Sequence, residues 1–239
     1  MLGLWLCQRS LMAVGGPWYG YGWEPQLAEV GFHSLFLVPL LRLDRLASPP
    51  SIIVVYSLRW MLFRIMIGAG LIKIKSGDPK WKLKNLTTMD YFYETQPVPN
   101  PFTRYFHFMP KYWHKFEVLT NHYVELIAPW LLLVPITSFR RIGGIIQIAF
   151  QSVLITSGNL SFLNWLTIVP AIMCLDDDYI KGLFPTPFQN KVMEASNTFA
   201  ISPARQIVSL GFGIMIFYLS IPVGKNNLFF CFLGKILVG

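Results

Sequence analysis

The stretch SIIVVYSLRWMLFRIMIGAGLIKI, Ser51–Ile74, decides the fold class. At about 1.5 Å of rise per residue, one helix of this length covers the roughly 30 Å hydrocarbon core of a bilayer. Its charges are Arg59, Arg64 and Lys73, with no acid among them. An arginine at membrane depth costs a few kcal/mol on insertion scales, so it must face a partner or a water-filled cavity. The stretch therefore reads as one helix of a bundle.

The whole chain carries the same signature. It has 239 residues, of which 54% are hydrophobic and only 13% charged, and its mean hydropathy is +0.47. That charged share is about half of what a soluble domain carries. The reading is an all-α, polytopic membrane helical bundle of about five or six apolar segments with one long interfacial loop. Besides Ser51–Ile74, the apolar segments are Gln26–Leu41, Leu119–Thr137, Ile142–Leu175, Arg205–Val223 and the short Phe229–Val238. Ile142–Leu175 is too long for one straight crossing, and Ser157-Gly158-Asn159 should break it. Arg42–Ser51, RLDRLASPPS, is a proline-rich turn.

A net charge of +8 raises nucleic acid as a partner. The basic residues are spread over connections between apolar runs, which suits anionic lipid head groups instead. Membrane lipids are the expected partner, and nucleic acid is not. Cys7, Cys174 and Cys231 lie far apart and show no metal spacing. The N-terminus MLGLWLCQRS has no basic region ahead of its apolar residues and makes a poor signal peptide.

Ionisable residues inside apolar runs are the site candidates. They are Glu29 with His33, then Arg59 and Arg64, then a stripe in WHKFEVLTNHYVEL. In that stripe His114, Glu117, Asn121, His122 and Glu125 recur at helical spacing and make one face. Such a face can bind a metal or do acid–base chemistry. The di-metal helix pattern is Glu-x-x-His, however, and here the order is His-x-x-Glu. The expectation is a polar face packed against the arginine-bearing helix, with Glu29 or Glu125 pairing to an arginine. No catalytic residue, metal site or cofactor is assigned. Gly68-Ala69-Gly70 should let two helices approach closely. Asp176-Asp177-Asp178 reads as a solvated helix end.

The long loop, Lys73–Glu117, holds MDYFYETQPVPNP. Pro97, Pro99 and Pro101 alternate, which forbids helix there and makes a stiff, extended strap. Asp90, Tyr91, Glu94 and the three prolines are candidates for contact with a partner. FTRYFHFMPKYWHKFE follows, with rings and basic residues alternating, and suits the membrane–water interface. The side on which the loop lies is contested. Lys73, Lys75, Lys80, Lys82 and Lys84 favour the cytosol, whereas Asn85-Leu86-Thr87 is a glycosylation sequon that works only in the lumen.

Four blocks carry a resemblance: RWMLFRIMIGAGLIKIKSGDPKW, LTTMDYFYETQPVPNP, FHFMPKYWHKFEVLTNHYVEL and SGNLSFLNWLTIVP. In this order they resemble the lipase maturation factor family, over about Trp18 to Asp178. The resemblance implies a multi-pass protein of the endoplasmic reticulum membrane that helps secreted, homodimeric lipases or other client proteins fold. It implies a folding factor, not an enzyme. The family is also distantly similar to the membrane region of the vitamin-K-dependent carboxylase, so a membrane-embedded enzyme acting on a lipid-like substrate is the alternative. An inactive truncated scaffold is the third reading. Within the family, the chain is expected to sit nearer the second paralogue type. Where the family shows cysteines, this chain has Lys80 and Thr88. Residues 1–178 are read as the membrane domain, and 179–239 as a divergent polar stretch plus a late span. The family's long C-terminal lumenal region is expected to be missing, as in a fragment, a splice form or a divergent member.

Overall fold

A computed structural model describes residues 1–37, 50–96, 98–198 and 203–225. Pro97, most of the Arg42–Ser51 turn, Cys231 and the Phe229–Val238 segment lie outside the described residues. The described residues form helices and turns, which agrees with the all-α expectation. The chain divides into two compact units, Met1–Leu58 with Asp177–Gly239, and Arg59–Asp176.

In the first unit, α1 (Leu2–Val14) lies against α2 (Trp23–Leu37). Trp5 Nε1 donates to the Ala28 carbonyl at 2.8 Å, and Gln8 Nε2 donates to Glu24 at 3.0 Å. The ring of Phe212, from α12 (Pro203–Lys225), sits among Phe32, His33 and Phe36 of α2. His33 is fully buried, and its Nδ1 bonds the Glu29 backbone carbonyl at 2.8 Å. Sharing a face with Glu29 thus brings His33 to the backbone of that turn.

The second unit begins within α3 (Ile52–Lys75) and holds α4 (Met89–Phe92), α5 (Thr103–His107), α6 (Lys111–Leu126), α7 (Trp130–Leu133), α8 (Thr137–Ser157) and α9 (Leu163–Ile172). The helix α3 carries no proline and ends before Gly77, whose φ of +75° turns the chain; Pro79 then opens a single 3-10 turn, Pro79–Trp81. Leu62, Met66, Val124, Leu132, Ala171 and Cys174 form the core. Glycines set the helix spacing. A Cβ on Gly70 would stand 2.6 Å from the Leu126 side chain, one on Gly143 2.8 Å from Leu131 Cβ, and one on Gly144 2.7 Å from Cys174 Cβ. Small residues matter here because lipid gives helices no hydrophobic reason to associate, and close packing must do so. The expected close approach at Gly68-Ala69-Gly70 is made by Gly70, against α6; nothing stands near Gly68.

Several segment bounds differ from the sequence reading. Leu119–Thr137 is not one span: α6 stops at Leu126, Ala128-Pro129 turns the chain, and α7 ends in extended backbone at Val134. Ile142–Leu175 does break at Ser157-Gly158-Asn159, where α8 ends and Gly158 is extended. Among the described residues, Ile52–Lys75 is long and apolar enough to cross a bilayer, while Leu163–Ile172 and Arg205–Ile221 are apolar but shorter. Among the described residues, Ala128-Pro129 divides the Leu119–Thr137 run that composition joins. Between α10 (Asp177–Ile180) and α12 lies α11 (Thr186–Thr198), so much of the polar stretch is helical. Within the triple aspartate, Asp176 pairs with Arg141 and Asp178 with Lys181.

Candidate functional site

The helix α6 carries the polar stripe. His114, Asn121, His122 and Glu125 are buried on it and Glu117 is half-buried. The stripe exists as read, but its neighbours are the loop and the end of α3.

At the start of α6, His114 Nδ1 meets Asp90 Oδ1 at 2.6 Å and Nε2 meets the Phe106 carbonyl at 3.0 Å. A carbonyl and a carboxylate only accept, so the ring satisfies both partners when both nitrogens carry protons. Burial works against that charge. The bond to Asp90, the bond to Phe106 and the nearby carboxylates of Glu117 and Asp90 outweigh it, and His114 titrates above its ordinary range. One turn on, Glu117 Oε1 accepts from Tyr93 Oη and from Trp113 Nε1, both at 2.9 Å. Its Oε2 is buried and has no partner. Burial pushes the Glu117 carboxyl up, against the bonds from Tyr93 and Trp113 and the charge of His114.

At the far end of the stripe, Lys73 from the last turn of α3 reaches Glu125 Oε1 at 2.5 Å and Asn121 Oδ1 at 3.0 Å. Its ammonium also lies 4.8 Å from the centre of the Trp81 ring. His122 Nε2 donates to the Trp81 carbonyl at 2.9 Å. So Glu125 meets a lysine, where an arginine was expected. Arg59 Nε donates to the Met173 carbonyl at 2.7 Å, in α3's contact with the end of α9. Arg64 is half-buried on α3, and Glu29 half-buried on α2 in the first unit.

The strap is fastened along its length. Asp90 and Tyr93 hold α6, and Tyr91 lies under the Lys80 ammonium at 4.1 Å. Glu94 meets His107 at 3.2 Å. Between Pro99 and Pro101, Asn100 Nδ2 donates to the Ile155 carbonyl at 3.0 Å, and past them Thr103 Oγ1 donates to the Ser157 carbonyl at 2.9 Å. Gln96 Oε1 accepts the Asn159 amide at 3.2 Å. The strap thus caps the end of α8 at its break. It differs from the extended reading at its start, where Met89–Phe92 makes a helical turn that buries Met89 and Tyr93 beside Leu86 and Val118. Pro99 and Pro101 are exposed. Asn85 is exposed too, and its side-chain amide donates to the Pro79 carbonyl at 2.9 Å.

Two features had no signal in composition. Lys73 looked like a loop cation, although its position three residues after Gly70 on a continuing helix places both on the face toward α6. The other is a groove of about 440 Å³ between α4, α5, α6 and α8, lined mainly by Met89, Phe92, Phe106, Val124, Phe150 and Leu154.

Among the described residues, one helix of bilayer length and a polar stripe fastened to a proline strap are consistent with a membrane helical domain. The family model described as "Lipase maturation factor transmembrane domain" matches residues 1–182. The chain is 47% identical over 243 residues to mouse "Lipase maturation factor 1", covering 95% of this chain and 42% of that protein. The human protein of that name is 45% identical over 244 residues, with 95% and 42% covered. "Lipase maturation factor 2" of Xenopus laevis is 34% identical over 224 residues, with 90% and 31% covered. No solved structure matches. The chain belongs to the lipase maturation factor family, as a membrane domain that spans about two-fifths of the length of the first-type relatives it matches. The expected nearness to the second paralogue type is corrected by these identities. The blocks that revealed the family gave no basis for separating its two types. Nothing found supports the carboxylase-like enzyme.

Proposed function

We propose that this chain is the multi-pass membrane portion of an endoplasmic reticulum factor that helps secreted lipases mature, and that the strap over α6 is the surface that supports a client. The similarity to proteins named lipase maturation factor 1 supports the first statement. The observation that carries the second is the fastening of Asp90–Thr103 at both ends, to α6 and to the end of α8, which leaves Tyr91, Val98 and Phe102 exposed on a held backbone. Apolar groups on a backbone that is already ordered bind with little further entropy cost.

A client-facing strap must lie in the lumen, where Asn85 is open to glycosylation. The positive-inside rule opposes this, but Lys73 is neutralised by Glu125 and Lys80 is stacked on Tyr91. In cells lacking the endogenous factor, the chain joined to the relatives' remaining region should restore secreted lipase activity. Asp90→Ala with Tyr93→Phe should weaken the rescue at equal expression. A rescue unaffected by loosening the strap would remove its role, and a secreted lipase that is fully active without the factor would remove the client assignment.

A further inference from the structure

We propose that the groove between α4, α5, α6 and α8 binds a neutral amphiphile with one apolar chain and a hydroxyl head group. Its walls are almost wholly aromatic and aliphatic, and its volume of about 440 Å³ falls in the range of small-molecule sites. Glu117, Thr120, Asn121 and Ser157 also line it, and of these Glu117 and Asn121 lie four residues apart on α6. Each has one buried atom with no partner, Glu117 Oε2 and Asn121 Nδ2. Asn121 is only 4% exposed, and Lys73 already occupies its Oδ1 at 3.0 Å, so the amide nitrogen is its free end. Tyr93 and Trp113 both bind Glu117 Oε1, so Oε2 is its free end.

An unpaired buried donor one helical turn from an unpaired buried acceptor is costly, at about 1–3 kcal/mol for each group. The pair selects its complement by elimination. A carboxylate or phosphate head group would accept from Asn121 but set like charge against Glu117. An ammonium would satisfy Glu117 and leave Asn121 without an acceptor. An ester or ether accepts only. A hydroxyl does both: it donates to Glu117 and accepts from Asn121. The exposed edge formed by Phe116, Tyr123 and Val153 is where an apolar chain enters from lipid.

The test uses the purified chain in lipid nanodiscs and oleyl alcohol carrying a photoactivatable diazirine on its chain. Labelling should saturate and map to α6 and α8. Unlabelled oleyl alcohol should compete about tenfold better than oleyl methyl ether or oleate, the weight of one hydrogen bond to a charged group. Val153→Trp, which fills the groove from an exposed position, should abolish specific labelling at an unchanged Tm. Should that variant lose stability, Ala149→Phe on the same exposed edge of α8 supplies the reading. Glu117→Gln removes the like charge and adds a donor, so it should bring oleate level with the alcohol. Equal competition by alcohol, ether and oleate would overturn the proposal, as would labelling that survives both filling variants. Saturable displacement of the probe by the relatives' downstream polypeptide, but not by the alcohol, would also overturn it.

Discussion

Lys73 and Glu125 show how one contact ties two helices. Glu125 is buried on α6 with one oxygen on Lys73, and Gly70 one turn back on α3 lets α6 come close enough for that contact. Removing one partner leaves the other uncompensated, whereas removing both need not. Glu125→Gln should lower the unfolding free energy by about 1–3 kcal/mol, read from the Tm in mild detergent. The double variant Lys73→Met with Glu125→Leu should recover much of that loss; additive losses would show that the two residues act separately. Gly70→Val tests the packing beneath the pair. Its side chain would enter space held by Leu126, and overpacking of this kind costs about 1–3 kcal/mol.

At the scale of elements, the strap and α6 form one titratable joint. The His114 imidazole titrates above its ordinary value of 6.5, so its contribution is fully present below that pH and lost as the pH rises through the folded value. Glu117 is raised too, so the folded state favours its protonated form and loses that preference as the pH climbs out of the carboxylate range. Both act in one direction: the strap loosens with rising pH. Hydrogen exchange of residues 89–96 should quicken relative to α8 as the pH passes above about 6.5, after correction for intrinsic exchange rates. Asp90→Asn should flatten this dependence. The same trend in that variant would assign the effect elsewhere. The proline rule predicted a stiff, extended strap and gave no sign of the helical turn at Met89–Phe92, which is held by burial of Met89 and Tyr93 against Val118.

For the whole molecule, the match to a family model described as a transmembrane domain and the bilayer-length apolar helix Ile52–Lys75 together point to integral association. The chain should stay in the pellet after alkaline carbonate extraction of microsomes; release into the supernatant would contradict the membrane assignment. If the strap is lumenal, an endoglycosidase should shift the chain's mobility, and Asn85→Gln should abolish the shift. A chain unmodified at Asn85 in a microsome preparation that glycosylates a control sequon would place the loop in the cytosol.

Class and family were legible in sequence alone. Long apolar runs state what solvent a helix needs, and a linear motif such as YETQPVPNP is a local string that needs no fold to be read. The stripe on α6 was legible for the same reason, since helical spacing puts His114, Asn121 and Glu125 on one face whatever lies opposite. What lay opposite was a tertiary fact. Lys73 stands 52 residues from Glu125, Asp90 24 residues from His114, and Asn100 55 residues from Ile155. No periodicity encodes those separations. The fold chose them by where glycines let helices close and where proline and Gly158 let the chain turn, and only that closure made a groove with two unanswered polar atoms.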